Sequence, residues 1–164
     1  MSIHFGNLSR KSFVFNGLLG AGLITLLWGC QGNNRTSVGN WQTYRNDRFG
    51  FEFLYPDGWV ASNPPENRDG IAFSNPENPD VEIRGWATAD LGNSAKNAAP
   101  SNFTTQQGLS GNLEIKIDAK LSSMQVTIVR NKIRYFWGGT SPSQEFDSYY
   151  QSFYYIASRF KVSS

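Results

Sequence analysis

The chain has 164 residues, enough for one domain, and 15% of them are aromatic. Its single cysteine is Cys30 and its single histidine is His4, both close to the N-terminus. If a leader containing His4 is removed, the folded part has no side chains for Ser-His-Asp or Cys-His catalysis or for a His/Cys zinc site. A lone cysteine also excludes an internal disulfide, so the hydrophobic core must supply the stability.

The N-terminus has the pattern of an export signal. Arg10 and Lys11 precede an apolar run at residues 13–28, which is shorter than the ~20 apolar residues of a membrane-spanning helix. A positive start, a short apolar centre and a small residue before the cleavage point are typical of a signal peptide. We therefore expect residues 1–29 to be a signal peptide.

Cys30 follows Leu27 and Gly29, and this spacing resembles the lipobox of bacterial lipoproteins. In that motif the cysteine carries a diacylglyceride, and two or more acyl chains hold a protein firmly on a membrane. A plain secretory signal with an incidental cysteine, or an uncleaved N-terminal anchor, is the alternative. The resemblance predicts a lipid on Cys30, a flexible polar tether at residues 30–40 and a folded domain at residues 41–164.

The predicted mature chain is formally neutral. Lys and Arg number 15 in the whole chain, but Arg10 and Lys11 belong to the signal, so 13 remain against 13 Asp and Glu residues. No overall positive field favours nucleic acid as a partner. We expect the protein not to bind nucleic acid.

The folded domain opens with an aromatic strand. Phe49, Phe51, Phe53 and Tyr55 share one parity and point to one face, and a Pro-Asp-Gly turn follows at residues 56–58. Further strands are predicted where apolar residues alternate between turn-forming residues, at 71–73, 81–87, 113–119, 124–129 and 133–137. In two of these strands the alternation places the following residues inward: Val81, Ile83, Ala87, Leu113, Ile115 and Ile117.

Two segments are predicted to be helical. A short helix near Ser101–Gln107 would pack through Phe103. A longer helix closes the chain, where Ser141 can cap it, Pro142 suits the first helical position and Gln144 completes a capping box. Apolar residues then recur at helical spacing and form one stripe: Phe146, Tyr149, Tyr150, Phe153, Ile156, Ala157 and Phe160.

Together these elements predict an α+β domain, in which an antiparallel sheet of about six strands packs against a C-terminal helix. Two stretches resemble PsbP-like domains, a family that includes the extrinsic PsbP subunit of photosystem II and cyanobacterial lipoproteins. The first stretch is Tyr44-x-Asn46 followed by Phe49-Gly50-Phe51-x-Phe53-x-Tyr55-Pro56-x-x-Trp59, and the second is the closing helix, which ends in Ile156-Ala157-Ser158-x-Phe160.

The resemblance implies an α-β-α sandwich and a non-enzymatic role. It also implies a membrane-anchored position that faces the periplasm or the thylakoid lumen. Since the metal ligands of this family usually include histidine, we expect no metal in this chain.

Three basic residues cluster at the predicted hairpin between the last two strands: Arg130, Lys132 and Arg134. The pattern favours a charged strand edge that prevents aggregation between sheets. The functional alternative is a patch that docks on an acidic membrane protein or on lipid headgroups.

Two other regions have both a structural and a functional interpretation. Glu66, Asp69, Glu77 and Asp80 lie in loops where carboxylates could hold calcium, but the loop composition favours ordinary hydrophilic turns. The segment Tyr135-Phe136-Trp137-Gly138-Gly139 favours a strand buried on both faces, with an exposed aromatic platform for a ligand as the alternative.

No catalytic motif stands out, so we expect no enzyme activity and no catalytic residues. The expected function is that of a membrane-anchored lipoprotein, an accessory or assembly factor that binds a membrane protein complex, with photosystem II as the candidate that the resemblance suggests. The alternative is a periplasmic lipoprotein that binds a small ligand or a metal through the acidic loops or residues 135–139. No cofactor is expected apart from the covalent lipid on Cys30.

Overall fold

The computed structural model describes residues 40–92 and 100–163 of the chain. The predicted signal peptide, Cys30 and residues 31–39 of the predicted tether lie outside these ranges. The described elements are, in chain order, β1 (Trp41–Asn46), β2 (Phe51–Pro56), β3 (Val60–Ala61), β4 (Gly70–Asn75), β5 (Asn78–Ala89), β6 (Phe103–Thr104), β7 (Ser110–Lys116), β8 (Leu121–Arg130), β9 (Ile133–Pro142), α1 (Phe146–Ser158) and β10 (Lys161–Val162).

The larger sheet has seven antiparallel strands in the order β3-β4-β5-β9-β8-β7-β6. Alternate residues of its central strands are buried on one face, which we call the inner face. These include Val81, Ile83, Ala87, Met124, Val126, Ile128, Tyr135 and Trp137. The inward positions predicted at residues 81, 83 and 87 are therefore confirmed.

The smaller sheet has three strands in the order β1-β2-β10, and it packs on the inner face of the larger one. Phe51 and Phe53 project from β2 into the core, where both are 1% exposed. A Cβ atom at Gly85 of β5 would lie 2.4 Å from the Phe53 ring. The two sheets approach closely because this residue has no side chain.

Helix α1 covers another part of the inner face. Phe153 lies directly over β9, because a Cβ atom at Gly139 would be 2.7 Å from its ring. The same ring packs against Trp137, with centroids 6.1 Å apart. The helical stripe and the opening strand share one core, in which Phe160 stacks on Phe51 at 5.4 Å.

The predicted fold class is confirmed: the domain is α+β, with antiparallel sheets and a C-terminal helix. In the described residues there are two sheets instead of one and ten strands instead of about six. The inner face is covered by α1 and by the three-stranded sheet, and α1 is the single helix of the described part of the chain. None of the described residues forms a helix that is long and apolar enough to cross a membrane.

The short helix predicted at residues 101–107 is wrong. Phe103 and Thr104 form β6, and the chain then turns so that the Thr105 amide donates to the Leu109 carbonyl at 2.9 Å. Gly108 closes this turn at a φ of 84°, a left-handed conformation that glycine adopts without steric cost. Phe103 is nevertheless a packing residue, as predicted, and is 4% exposed.

The predicted start of the C-terminal helix is also wrong. Ser141 and Pro142 belong to β9, where Ser141 pairs with Ser122 of β8. The helix begins at Phe146 after Glu145, and no side chain caps it. The sheet ladder therefore takes precedence over the local capping signal in this segment.

The alternation of β7 was predicted to bury three residues, and that prediction is wrong for two of them. Ile115 is 41% exposed and Ile117 is 71% exposed, while Leu113 is half-buried. Strand β7 lies near the edge of the sheet, whereas α1 packs mainly over β8 and β9. An apolar stripe thus faces solvent at this edge.

Candidate functional site

Several turns meet at one end of the domain, which we call the basic end. It comprises the β8–β9 turn, the β1–β2 turn and the loop at residues 62–69. The Tyr135 hydroxyl near the first turn donates to the Phe49 carbonyl of the second at 3.3 Å. The Ala87 amide on β5 donates to the Asp69 carbonyl of the loop at 2.9 Å.

The structure separates the three basic residues that the sequence placed together. Asn131 and Lys132 have φ angles of 51° and 61°, which fit a two-residue turn that directs Lys132 away from the sheet. The pairing of β8 with β9 places Arg130 on the inner side and Arg134 on the outer side. Arg134 forms an ion pair with Asp90 at 3.0 Å. Among the described residues, Lys132 and Arg130 are thus the two cations of this turn that form no ion pair with a carboxylate.

Tyr135 links this turn to the core. Burial raises the pKa of its hydroxyl, and the positive charge of Arg130 lowers that pKa in part. The hydroxyl is held by its bond to the Phe49 carbonyl. Tyr135 therefore fixes the β1–β2 turn beside the β8–β9 turn.

A groove of about 760 Å³ opens between the β1–β2 turn and the loop at residues 62–69. Three arginines line it, namely Arg45, Arg48 and Arg68. Asp47 and Glu66 also line it, so that its formal charge is weakly positive. The groove is a concave feature at the basic end of the described domain.

Asn46 holds the two walls of the groove together. Its side chain is 4% exposed, and its amide nitrogen donates to the Arg68 carbonyl at 3.0 Å and to the Tyr44 hydroxyl at 3.2 Å. Its amide oxygen accepts a bond from the Phe49 amide at 2.8 Å. Arg68 has a φ of 52°, a left-handed conformation that is uncommon for a residue with a side chain. The loop is thus held in place against the turn before any ligand binds.

The arginines of the groove differ in their partners. The Arg45 guanidinium pairs with Glu52 at 3.0 Å. The Arg48 guanidinium donates to the Asn67 carbonyl and lies 4.9 Å from the centre of the Phe49 ring. The Arg68 guanidinium has no hydrogen-bond or ion-pair partner among the described residues. Guanidinium groups arranged in this way can bind carboxylates or phosphates through charge-assisted hydrogen bonds.

The sequence did not identify Arg48 and Arg68 as site residues. Arg48 lies in the β1–β2 turn and Arg68 in the loop at residues 62–69, and the two residues are 20 positions apart in the chain. Only the side chain of Asn46 and the fold bring them together. A signal that could have pointed to the site is Asn46, a polar residue between the aromatic residues Tyr44 and Phe49, because an amide that becomes buried needs several partners.

The acidic loops do not form one cluster. Glu66 and Asp69 precede β4, whereas Glu77 and Asp80 lie beyond its other end, ~20 Å away along a six-residue strand. Within residues 40–92 and 100–163, no group of three or more His, Cys, Asp or Glu side chains is placed to hold a metal ion.

The aromatic segment at residues 135–139 contributes side chains to both faces of the large sheet. Tyr135 and Trp137 are buried on the inner face, whereas Phe136 lies on the outer face and stacks on Trp86, with centroids 4.9 Å apart. A slot of about 460 Å³ lies beside Trp86 and Arg84, next to the loop at residues 62–69. The slot is a second concave feature that could accept a ring.

No protein-family model matches the chain, and no curated protein sequence matches it either. Among solved structures, it is similar to the solution structure of cyanobacterial PsbP (CyanoP) from Synechocystis sp. PCC 6803, at 16% sequence identity and a TM-score of 0.48, over 84% of this chain and 99% of that one.

The chain is also similar to a crystal structure of a protein from Bacteroides thetaiotaomicron VPI-5482, at 14% identity and a TM-score of 0.51, over 77% of this chain. This chain spans about half of that protein, 49% of its length. Both similarities concern the fold, and neither assigns a ligand or a partner to this chain.

Proposed function

We propose that this protein is a membrane-tethered accessory factor that docks on an acidic surface of a larger membrane protein complex. The groove between Arg48 and Arg68 is the observation that carries the proposal. Asn46 holds the turn that carries Arg48 beside the loop that carries Arg68, so both guanidinium groups can be presented to carboxylates from one groove. Photosystem II is the candidate complex, because the opening and closing motifs resemble PsbP-like domains.

The tether restricts where the partner can lie. A lipid on Cys30 would attach the domain to the membrane through residues 31–40, about 10 residues that span ~3.3–3.6 Å each when extended. The domain would remain within a few tens of ångströms of the membrane surface. The partner is therefore a membrane protein or a protein bound close to one, in the periplasm or the thylakoid lumen.

The docking is tested by affinity purification of the full chain from detergent-solubilised membranes, followed by identification of the recovered proteins. The double variant Arg48→Glu/Arg68→Glu should lose the recovered complex. The double variant Arg84→Glu/Lys120→Glu changes the net charge equally at sites outside the groove and should retain it. Equal recovery with both variants would remove the groove from the proposal.

The anchor needs a separate experiment. Mass spectrometry of the membrane fraction should find an N-terminal peptide that begins at Cys30 and carries two or three acyl chains. A mature protein that begins elsewhere, or that is released by a salt wash, would contradict the lipidated anchor. Such a result would not bear on the docking groove, which is tested separately by the affinity purification.

The slot beside Trp86 favours a second candidate function, that of a periplasmic lipoprotein that binds a small ligand. The Trp86 indole stacks on Phe136 and also lines the slot. Under this alternative no protein complex is recovered, and a small ligand raises the melting temperature of the wild-type protein. Trp86→Ala should then abolish the shift, since the ring is the largest contact surface in the slot.

A further inference from the structure

Strand β7 and Ile117, the residue that follows it, carry an apolar stripe that the described part of the domain leaves exposed. Ile115 is 41% exposed and Ile117 is 71% exposed, and both belong to the alternating run Leu113-Glu114-Ile115-Lys116-Ile117. Such alternation is typical of a strand with one buried face. Ile115 and Ile117 thus have the sequence pattern of a buried strand face, although no described element packs over them.

Among the described residues, no strand pairs with the outer backbone edge of β7 beyond Gly111. Strand β6 pairs only with Ser110 and Gly111. The Asn102 side chain then takes the place of a strand at Leu113, accepting from its amide at 2.7 Å and donating to its carbonyl at 3.0 Å. Backbone groups alternate in direction, so the amide and carbonyl of Ile115 also point away from β8. No described strand lies beside them.

We propose that β7 pairs with β7 of a second copy of this chain, antiparallel and centred on Ile115. In this register Ile115 lies opposite its own copy and Leu113 lies opposite Ile117, so apolar residues meet on one face. On the other face Glu114 lies opposite Lys116 of the partner, twice across the axis. Such cross-strand pairs are the unit of sheet stabilisation.

The charges select this register over its neighbour. A shift to pairing centred on Lys116 would place Lys116 opposite Lys116 and Glu114 opposite Asp118, and like charges in direct opposition are destabilising. The segment is therefore complementary to itself in one arrangement. The resulting contact is a closed two-fold pair, which joins two seven-stranded sheets without leaving this edge open.

Asn102 limits the extent of the pairing. While its side chain holds Leu113, only the hydrogen bonds between the two Ile115 residues can form. Release of Asn102 would free Leu113 to bond with Ile117 of the partner. The Asn102 side chain thus restricts pairing at this edge, and Asn102→Ala should increase the association of the two copies.

The experiment uses the full chain in its own membranes, with Ile115→Cys and a mild oxidant. Residues that face each other in a hydrogen-bonded antiparallel pair have Cα atoms ~5.5 Å apart, which suits a disulfide. Ile117→Cys is the matched control, because its two copies would lie ~13 Å apart in this register. The native chain gives the background from Cys30. We expect a disulfide-linked dimer for Ile115→Cys and only background for Ile117→Cys.

Charge variants in the Ile115→Cys background test the register itself. Lys116→Glu should lower dimer formation about 3- to 10-fold, because two favourable cross-strand pairs become like-charge pairs. The exchange Glu114→Lys/Lys116→Glu restores opposite charges in the same register and should restore the dimer. Equal crosslinking at positions 115 and 117, no crosslinking at 115, or no effect of Lys116→Glu would each overturn the proposal.

Discussion

Gly138 and Gly139 are neighbours on β9, yet they face opposite sides of the large sheet. A Cβ atom at Gly139 would lie 2.7 Å from the Phe153 ring, whereas one at Gly138 would have no atom closer than 3.8 Å. Overpacking of a filled core costs ~1–3 kcal/mol. Gly139→Ala should lower the free energy of unfolding by about that amount in a denaturant titration.

Gly138→Ala is the control for this prediction. Its added methyl group lies on the outer face at ordinary contact distance from Trp86. The expected change in unfolding free energy is within about 0.5 kcal/mol, as for most surface substitutions. Equal costs for the two variants would mean that α1 does not rest on Gly139.

Tyr135 gives a prediction that depends on pH. Burial raises the pKa of its hydroxyl in the folded state, so the unfolded chain loses this proton first as the pH rises. The stability supplied by Tyr135 is therefore fully present below about pH 10, the ordinary pKa of tyrosine, and is lost as the pH rises from there through the folded-state pKa.

Tyr135→Phe tests this link. At pH 7 the variant should be less stable by about 0.5–1.5 kcal/mol, because the Phe49 carbonyl loses its hydrogen bond. Above about pH 10 the difference between wild type and variant should narrow. A difference that stays constant with pH in urea titrations would argue against a raised pKa at this residue.

At the scale of elements, β2 and α1 each pack on the large sheet through aromatic side chains. Phe53 contacts Tyr44 and Phe73, and Phe153 contacts Trp137 and Phe146. Phe53→Ala and Phe153→Ala should each cost ~3–5 kcal/mol, as for other buried aromatic deletions. Val60→Ala, at a site that is 59% exposed, serves as the control in thermal melts. Unchanged melting temperatures for both phenylalanine variants would refute this core.

The sequence predicted those elements whose pattern agrees with their tertiary contacts. Alternation identified the inward residues of β5 because that strand lies in the middle of the sheet. The same pattern gave a wrong prediction of burial at Ile115. Alternation indicates a strand with one apolar and one polar face, but it does not show whether another element packs on the apolar face. At Ser141 a correct local capping signal was overridden by pairing with β8.

The candidate site was less predictable than the fold. Arg130, Lys132 and Arg134 are close in sequence, but a strand pairing of period two sends Arg130 and Arg134 to opposite faces. Arg48 and Arg68 are distant in sequence, and a buried amide between them creates the groove. When charged residues lie in turns, their spacing along the chain therefore does not reveal which of them come together in the folded domain.

At the scale of the whole domain, charges are sorted by end. The basic end carries Arg48, Arg68, Arg130 and Lys132 at its turns against Asp47, Glu66 and Asp69, so these turns have a small net positive charge. At the opposite end the Asn78 side chain donates to Glu145 at 3.1 Å and the Ser143 hydroxyl donates to the Asp118 carbonyl at 2.6 Å, which brings together turns that hold Glu77, Asp80, Asp118 and Glu145. A chain with balanced charge can thus approach an acidic partner in a preferred orientation.

This sorting predicts that docking depends on salt. The Debye length falls from ~10 Å at ~0.1 M to ~3 Å at ~1 M ionic strength, so the attraction between exposed arginines and an acidic surface is screened. Recovery of the partner with the wild-type chain should fall as salt is raised, while the lipid on Cys30 keeps the protein in the membrane. Arg48→Glu/Arg68→Glu should show weak recovery at all salt concentrations, because the charges that respond to salt are reversed. Arg84→Glu/Lys120→Glu should follow the wild-type salt profile. Recovery that is independent of salt in the wild type would instead assign the contact to apolar surfaces, and the basic end would lose its role in docking.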